Sequence, residues 1–117
     1  MRRSFVGCNT IGTIAAIGAV VFVAPVLSAQ QGGAVAISVK DHRFQPVEVH
    51  GPANQPLEIT VKNLDSTPME FESVSLRVEK VVTPGAAGTV HVRPLAPGRY
   101  EFFDDFHQET RGTLVLQ

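Results

Sequence analysis

From residue 34 onward the chain alternates apolar and polar positions in short runs cut by glycine and proline, the two-residue period of strands. Ala34 to Lys40 is the first such run. Phe44 to Pro46 is expected to turn, and Val47 to His50 to form a short second strand with Val47 and Val49 inward. Gly51-Pro52-Ala53-Asn54 is a turn cluster. Leu57-Glu58-Ile59-Thr60-Val61 places its three apolar residues on one face. Asn63 to Pro68 is expected to loop, and Glu70 to Ser73 and Leu76 to Val82 to be extended. After a turn at Thr83-Pro84-Gly85, Thr89 to Arg93 points Val90 and Val92 inward and His91 outward. Pro94 to Gly98 turns again, Arg99 to Asp104 is an aromatic-rich strand, and Gly112 to Gln117 closes the domain. No run here keeps a helical period, so the pattern predicts an all-β sandwich or barrel.

The first thirty residues follow a different rule. Arg2 and Arg3 precede an apolar run from Ile11 to Leu27, which ends in the small residues Ser28 and Ala29 before Gln30 and Gln31. Basic start, apolar run and small-residue end predict a secretory signal peptide over 1–29, cut after Ala29. The run approaches membrane-spanning length. Nothing basic follows to stop transfer, so the mature chain is expected to be released into the periplasm. Arg2-Arg3-Ser4-Phe5-Val6 also resembles a twin-arginine export signal. The Sec and twin-arginine routes both remain open.

The expected domain is then 30–117, long enough for one sandwich. The chain's one cysteine, Cys8, falls in the leader, so the mature domain has no thiolate and no disulfide. Ten Lys and Arg, two of them in the leader, stand against 11 Asp and Glu, giving a mildly acidic domain. No basic patch with interleaved aromatics exists, which argues against a nucleic-acid partner.

Three segments carry a family resemblance. Phe44-Gln45-Pro46 with Val47-Glu48-Val49, then Val61-Lys62-Asn63-Leu64-Asp65, then Leu95-Ala96-Pro97-Gly98-Arg99-Tyr100-Glu101-Phe102-Phe103 resemble, in order, three motifs of the cupredoxins. The resemblance implies a cupredoxin-like Greek-key β-sandwich. It places the family's copper-ligating cysteine at Asp104, its second histidine at His107 and its first histidine near Met69, and it finds no methionine in the last loop. Type 1 copper and blue-copper electron transfer are therefore not expected. Pro68-Met69-Glu70-Phe71-Glu72-Ser73 and Phe102-Phe103-Asp104-Asp105-Phe106-His107 are similar to a cysteine-free group associated with bacterial ferrous-iron uptake. That likeness implies an iron permease and a second periplasmic metal-binding protein as partners, and a role in oxidising ferrous iron.

The residues themselves suggest a site. Tyr100, Phe102 and Asp104 share one strand face, so Asp104 is expected to point inward, where a carboxylate needs a cation or hydrogen bonds. Asp104, His107, Glu70, Glu72, Asp105 and Met69 form the expected metal site. A histidine with carboxylates suits iron or Cu(II). Each has a plainer reading: Asp104 and Asp105 as loop caps, Glu70 and Glu72 as a solvated strand face, and Met69 as a core residue. His42 sits in a turn from which it can approach the site. The alternative function is a β-sandwich interaction module that binds no metal.

Overall fold

A computed structural model describes residues 32–117 continuously, together with Ser4, Gly7, Gly12, Ala15 and residues 18–23. The expected cut after Ala29 lies outside the described residues, as do 19 of the 29 residues of the expected signal peptide. Among those residues no helix is long and apolar enough to cross a membrane.

Nine strands are described: β1 Gly33–Lys40, β2 Arg43–Gln45, β3 Glu48–Gly51, β4 Leu57–Asn63, β5 Met69–Ser73, β6 Val78–Val82, β7 Ala87–Val92, β8 Gly98–Asp104 and β9 His107–Leu116. They form two sheets, in the orders β2-β1-β4-β7 and β3-β9-β8-β5-β6. The pairs β1–β4 and β3–β9 are parallel and the other neighbours antiparallel. The all-β, two-sheet expectation holds.

Alternation explains which residues fill the space between the sheets. In β4, Leu57, Ile59, Val61 and Asn63 are buried while Glu58 and Lys62 face water. In β7, Val90 and Val92 are buried and His91 is exposed, as their spacing requires. Phe44, Phe71 and Phe102 meet at the centre, with ring centroids 4.8 Å (Phe44–Phe102), 5.1 Å (Phe71–Phe102) and 6.2 Å (Phe44–Phe71) apart. Two contacts are edge-to-face and one is tilted, so each adds about 0.5–1.5 kcal/mol beyond its buried area.

Four local expectations are corrected. Phe44 lies in strand β2, not in a turn, because its pairing with Val39 delivers the ring to the core. Val47 is exposed: it falls in the bend before β3, so the strand's alternation does not reach it. Leu76 and Arg77, expected to extend, lie in the turn Val74 to Arg77, and the strand starts at Val78. Leu76 plugs the core there while its N–H donates to the Ser73 hydroxyl (3.2 Å). Finally, β9 begins at His107, five residues before the expected Gly112, because only Asp105 and Phe106 separate it from β8.

Gly112 lies opposite Phe102 in the β8–β9 ladder. A Cβ there would run into the buried Phe102 ring and stand 3.0 Å from the Val47 carbonyl oxygen. Overpacking of this kind costs about 1–3 kcal/mol. Gly112→Ala is therefore expected to lower the urea midpoint by a corresponding amount with unchanged m-value. An unaltered midpoint would show that the ring can yield.

Candidate metal centre

The end of the sandwich near β8–β9 is organised by Asp104. Alternation in β8 turns it inward with Tyr100 and Phe102, and none of its surface remains exposed. One oxygen, Oδ1, accepts the N–H of Phe106 (3.0 Å) and the N–H of Glu70 in β5 (3.0 Å). The other, Oδ2, lies 3.0 Å from Nδ1 of His107. Asp104 and His107 face each other across the hairpin. The carboxylate thus stitches the turn, the neighbouring strand and the first residue of β9 together.

Asp105, one residue further, is turned the other way. Its N–H donates to the Glu70 carbonyl (2.9 Å), and its side chain joins Glu70 and Glu72 on the outer face of the same sheet. Ligand atoms of these three carboxylates all lie within 4.8 Å of one another. Among the described residues they are the one group of three or more His, Cys, Asp or Glu that converges so closely. Glu79 sits directly opposite Glu72 on β6 and adds a fourth negative charge. Partial removal from water, and then the charges of Glu79, Asp105 and Glu72, push the Glu70 carboxyl above its ordinary value. Partial removal from water, and then Asp105 and Glu79, push Glu72 up likewise.

The expected six-residue site is therefore divided. Glu70, Glu72 and Asp105 come together outside the sheet. Asp104 and His107 pair with each other at its end. Met69 is buried in the apolar core, on the opposite face of β5 from Glu70 and Glu72. The cause is strand parity together with sheet order. Glu70 and Glu72 do not lie across the sandwich from Asp104, since β5 is the hydrogen-bonded neighbour of β8. Outward residues of β5 cannot meet an inward residue of β8.

Two participants were not singled out in the sequence. Glu79 follows from register, because a four-residue turn at 74–77 puts Ser73 opposite Val78 and Glu72 opposite Glu79. Asp65 had no local signal, since its partners are 23 and 24 residues away. Its carboxylate accepts the N–H groups of Asp41 (2.6 Å) and His42 (3.0 Å). The His42 N–H, foremost, holds the Asp65 carboxyl below its usual value. Asn63, fully buried, shapes that loop by donating to the carbonyls of Thr67 and Val82 and accepting the Asp65 N–H.

Two mixed sheets, closed at one end by an Asn-shaped loop and the β8–β9 hairpin, define a sandwich of the cupredoxin class. The chain belongs to the cupredoxin-like domain family, whose profile covers residues 13–116. It is 43% identical over 82 residues to Uncharacterized protein RP394 of Rickettsia prowazekii (strain Madrid E), a match spanning 70% of this chain and 66% of that protein. In fold it is similar to the metal-binding domain, with Cu(I), of the Streptococcus pneumoniae D39 Cu(I)-exporting P-type ATPase CopA (TM-score 0.62, 15% identity, 72% of this chain and 84% of that one). It is also similar to auracyanin from Roseiflexus castenholzii (TM-score 0.60, 15% identity, 74% and 98%). Amicyanin from Paracoccus versutus is a further structural relative (TM-score 0.57, 16% identity, 72% and 81%).

The residues at the position that the family resemblance assigns to copper do not fit a thiolate centre. The only cysteine of the chain is Cys8, and the carboxylate at Asp104 is engaged by two backbone N–H groups and an imidazole.

Two outcomes follow. Asp104→Ala removes the partner of two N–H groups and of His107 Nδ1. A loss of about 2–4 kcal/mol in chemical denaturation is expected, and a loss below 1 kcal/mol would show that water substitutes freely. For the acidic trio the sign is opposite. The raised carboxyls contribute stability that is fully present below pH 4.5, the ordinary glutamate value, and is lost as pH rises through their folded values. With a chelator present, Glu70→Gln is therefore expected to raise the thermal midpoint at pH 7 and to change it little below pH 4.5. A midpoint that falls at pH 7 would mean that Glu70 is stabilised by a partner.

Proposed function

We propose that the chain is an exported metal-binding member of the cupredoxin-like family that serves iron uptake, holding its ion through Glu70, Glu72 and Asp105. The convergence of these three carboxylates within 4.8 Å carries the reading. Mutual repulsion and partial desolvation make the trio a poor arrangement for isolated charges and a favourable one around a cation. All-oxygen ligands are hard, and they stabilise ferric over ferrous iron. On this reading the three carboxylates would hold the iron and favour its ferric form. Copper is the other ion the family suggests, and Cu(II) also accepts carboxylate ligands. The basic start, apolar run and small-residue end over 1–29 support a periplasmic location. The resemblance of the E-F-E-S and F-F-D-D-F-H runs supports an iron permease and a second periplasmic metal-binding protein as partners. The competing reading, an interaction module without metal, draws on the Asp104 carboxylate, whose oxygens are all engaged by the protein's own groups.

Titration of the purified protein with Fe(III) and with Cu(II) separates the two. Outer groups around a metal typically change affinity 10–100-fold, so losing a direct ligand in Glu72→Ala is expected to weaken Fe(III) binding by at least about tenfold. No binding of either ion by the wild-type protein would leave the interaction module. Ferrous-iron consumption at the buffer rate would remove the oxidation role while leaving binding intact.

A further inference from the structure

The histidine at His107 has a neighbour outside the acidic trio. Its ring and that of His42 face each other with centroids 4.1 Å apart and planes tilted by 34°. His42 comes from the β1–β2 turn and His107 from the start of β9, so the contact joins the two sheets. Each ring presents Nδ1 to a carboxylate: His107 to Asp104 (3.0 Å) and His42 to Asp65 (3.7 Å). The carboxylate hydrogen-bonded to Nδ1 of His107 holds the proton there and leaves that ring's Nε2 lone pair free, whereas the 3.7 Å contact at His42 is too long for a hydrogen bond and leaves the tautomer of that ring open. Among the described residues, neither Nε2 is engaged in a hydrogen bond. Both side chains reach solvent, His42 with 47% and His107 with 28% of its surface exposed.

The placement of His42 is imposed by other elements. Asp41 and His42 occupy the left-handed region, with φ of 51° and 56°. A two-residue hairpin turn of this kind ordinarily uses asparagine and glycine. Here Asp65 binds both turn N–H groups, and the Thr110 hydroxyl donates to the His42 carbonyl (2.6 Å). Backbone held in such a conformation by its surroundings is a recurrent property of functional sites.

We propose that His42 and His107 form a second metal site, independent of the acidic trio, which takes a borderline divalent cation such as Cu(II) or Zn(II) through Nε2 of both rings. Two imidazole nitrogens, each about 2.0–2.1 Å from one ion, lie no more than about 4 Å apart, so a side-chain rotation that turns both Nε2 atoms toward one point, from rings whose centroids are 4.1 Å apart, would seat the ion. Imidazole suits Cu(II) and Zn(II), where the oxygen trio suits harder ions. Asp104 holds the His107 ring in the orientation that carboxylates impose on metal-bound histidines, and Asp65 holds the backbone that carries His42. Water completes the coordination on the exposed side.

The test is Cu(II) titration of the purified protein followed by electron paramagnetic resonance, with Zn(II) titration followed by proton NMR of the histidine rings. The first equivalent of Cu(II) is expected to show hyperfine structure from two imidazole nitrogens. Zn(II) is expected to shift the ring signals of His42 and His107 and leave those of His50 and His91 in place. His42→Asn, which tolerates the left-handed turn, is expected to weaken Cu(II) binding about tenfold or more and to remove one nitrogen from the spectrum. The pattern is expected to persist in Glu70→Gln. A spectrum with oxygen ligands only, or one unchanged in His42→Asn, would overturn the site. So would loss of the nitrogen pattern in Glu70→Gln, which would place the ion at the trio.

Discussion

The Asp104 carboxylate is wholly withdrawn from water, and a charge in that position must be met by donors fixed in place. The donors come from three places: Glu70 in β5, Phe106 in the turn, and His107 at the start of β9. Meeting them all requires the turn to be two residues long and β5 to lie against the hairpin. The rest of the region follows from this. Asp105 is thrown outward beside Glu70, where the acidic trio assembles. His107 is turned toward the sandwich end, where it meets His42. One inward residue therefore sets the position of two outward groups that share no ligand.

This also changes the meaning of the position where related folds carry a thiolate. A carboxylate has room for several hydrogen bonds, and here the protein supplies them. To bind a metal, Asp104 would have to give up N–H groups that have no other partner in the interior. The role its contacts support is to hold the hairpin together and orient the His107 ring.

Much of the fold was legible because strand parity survives in the sequence. Leu57, Ile59, Val61, Val90, Val92, Leu114 and Leu116 are buried as their spacing requires. The exceptions are residues whose environment is set from far away. Phe44 is drawn into a strand by the aromatic cluster, and Val47 is released from one by the bend before it. The site was half legible. Parity already placed Glu70 and Glu72 opposite Met69, and Asp104 inward. Which strands are neighbours was not written in the pattern, and without that the six residues appeared to converge. The link from Asp65 to the turn at 41–42 has no sequence signature, because it depends on how β1 and β4 lie side by side.

Asp65 and Asp104 turn out to be versions of one device. Each accepts two backbone N–H groups with its carboxylate and faces Nδ1 of one histidine. Each thereby fixes a short turn, Asp104 also fixes the ring beside it, and the two rings meet because the two turns lie at the same end of the sandwich. For Asp65 the backbone donors favour the charged form, so its contribution to stability is present above pH 3.8 and is lost only as pH falls through its lower folded value. The turn carrying His42 is thus held throughout mild acid.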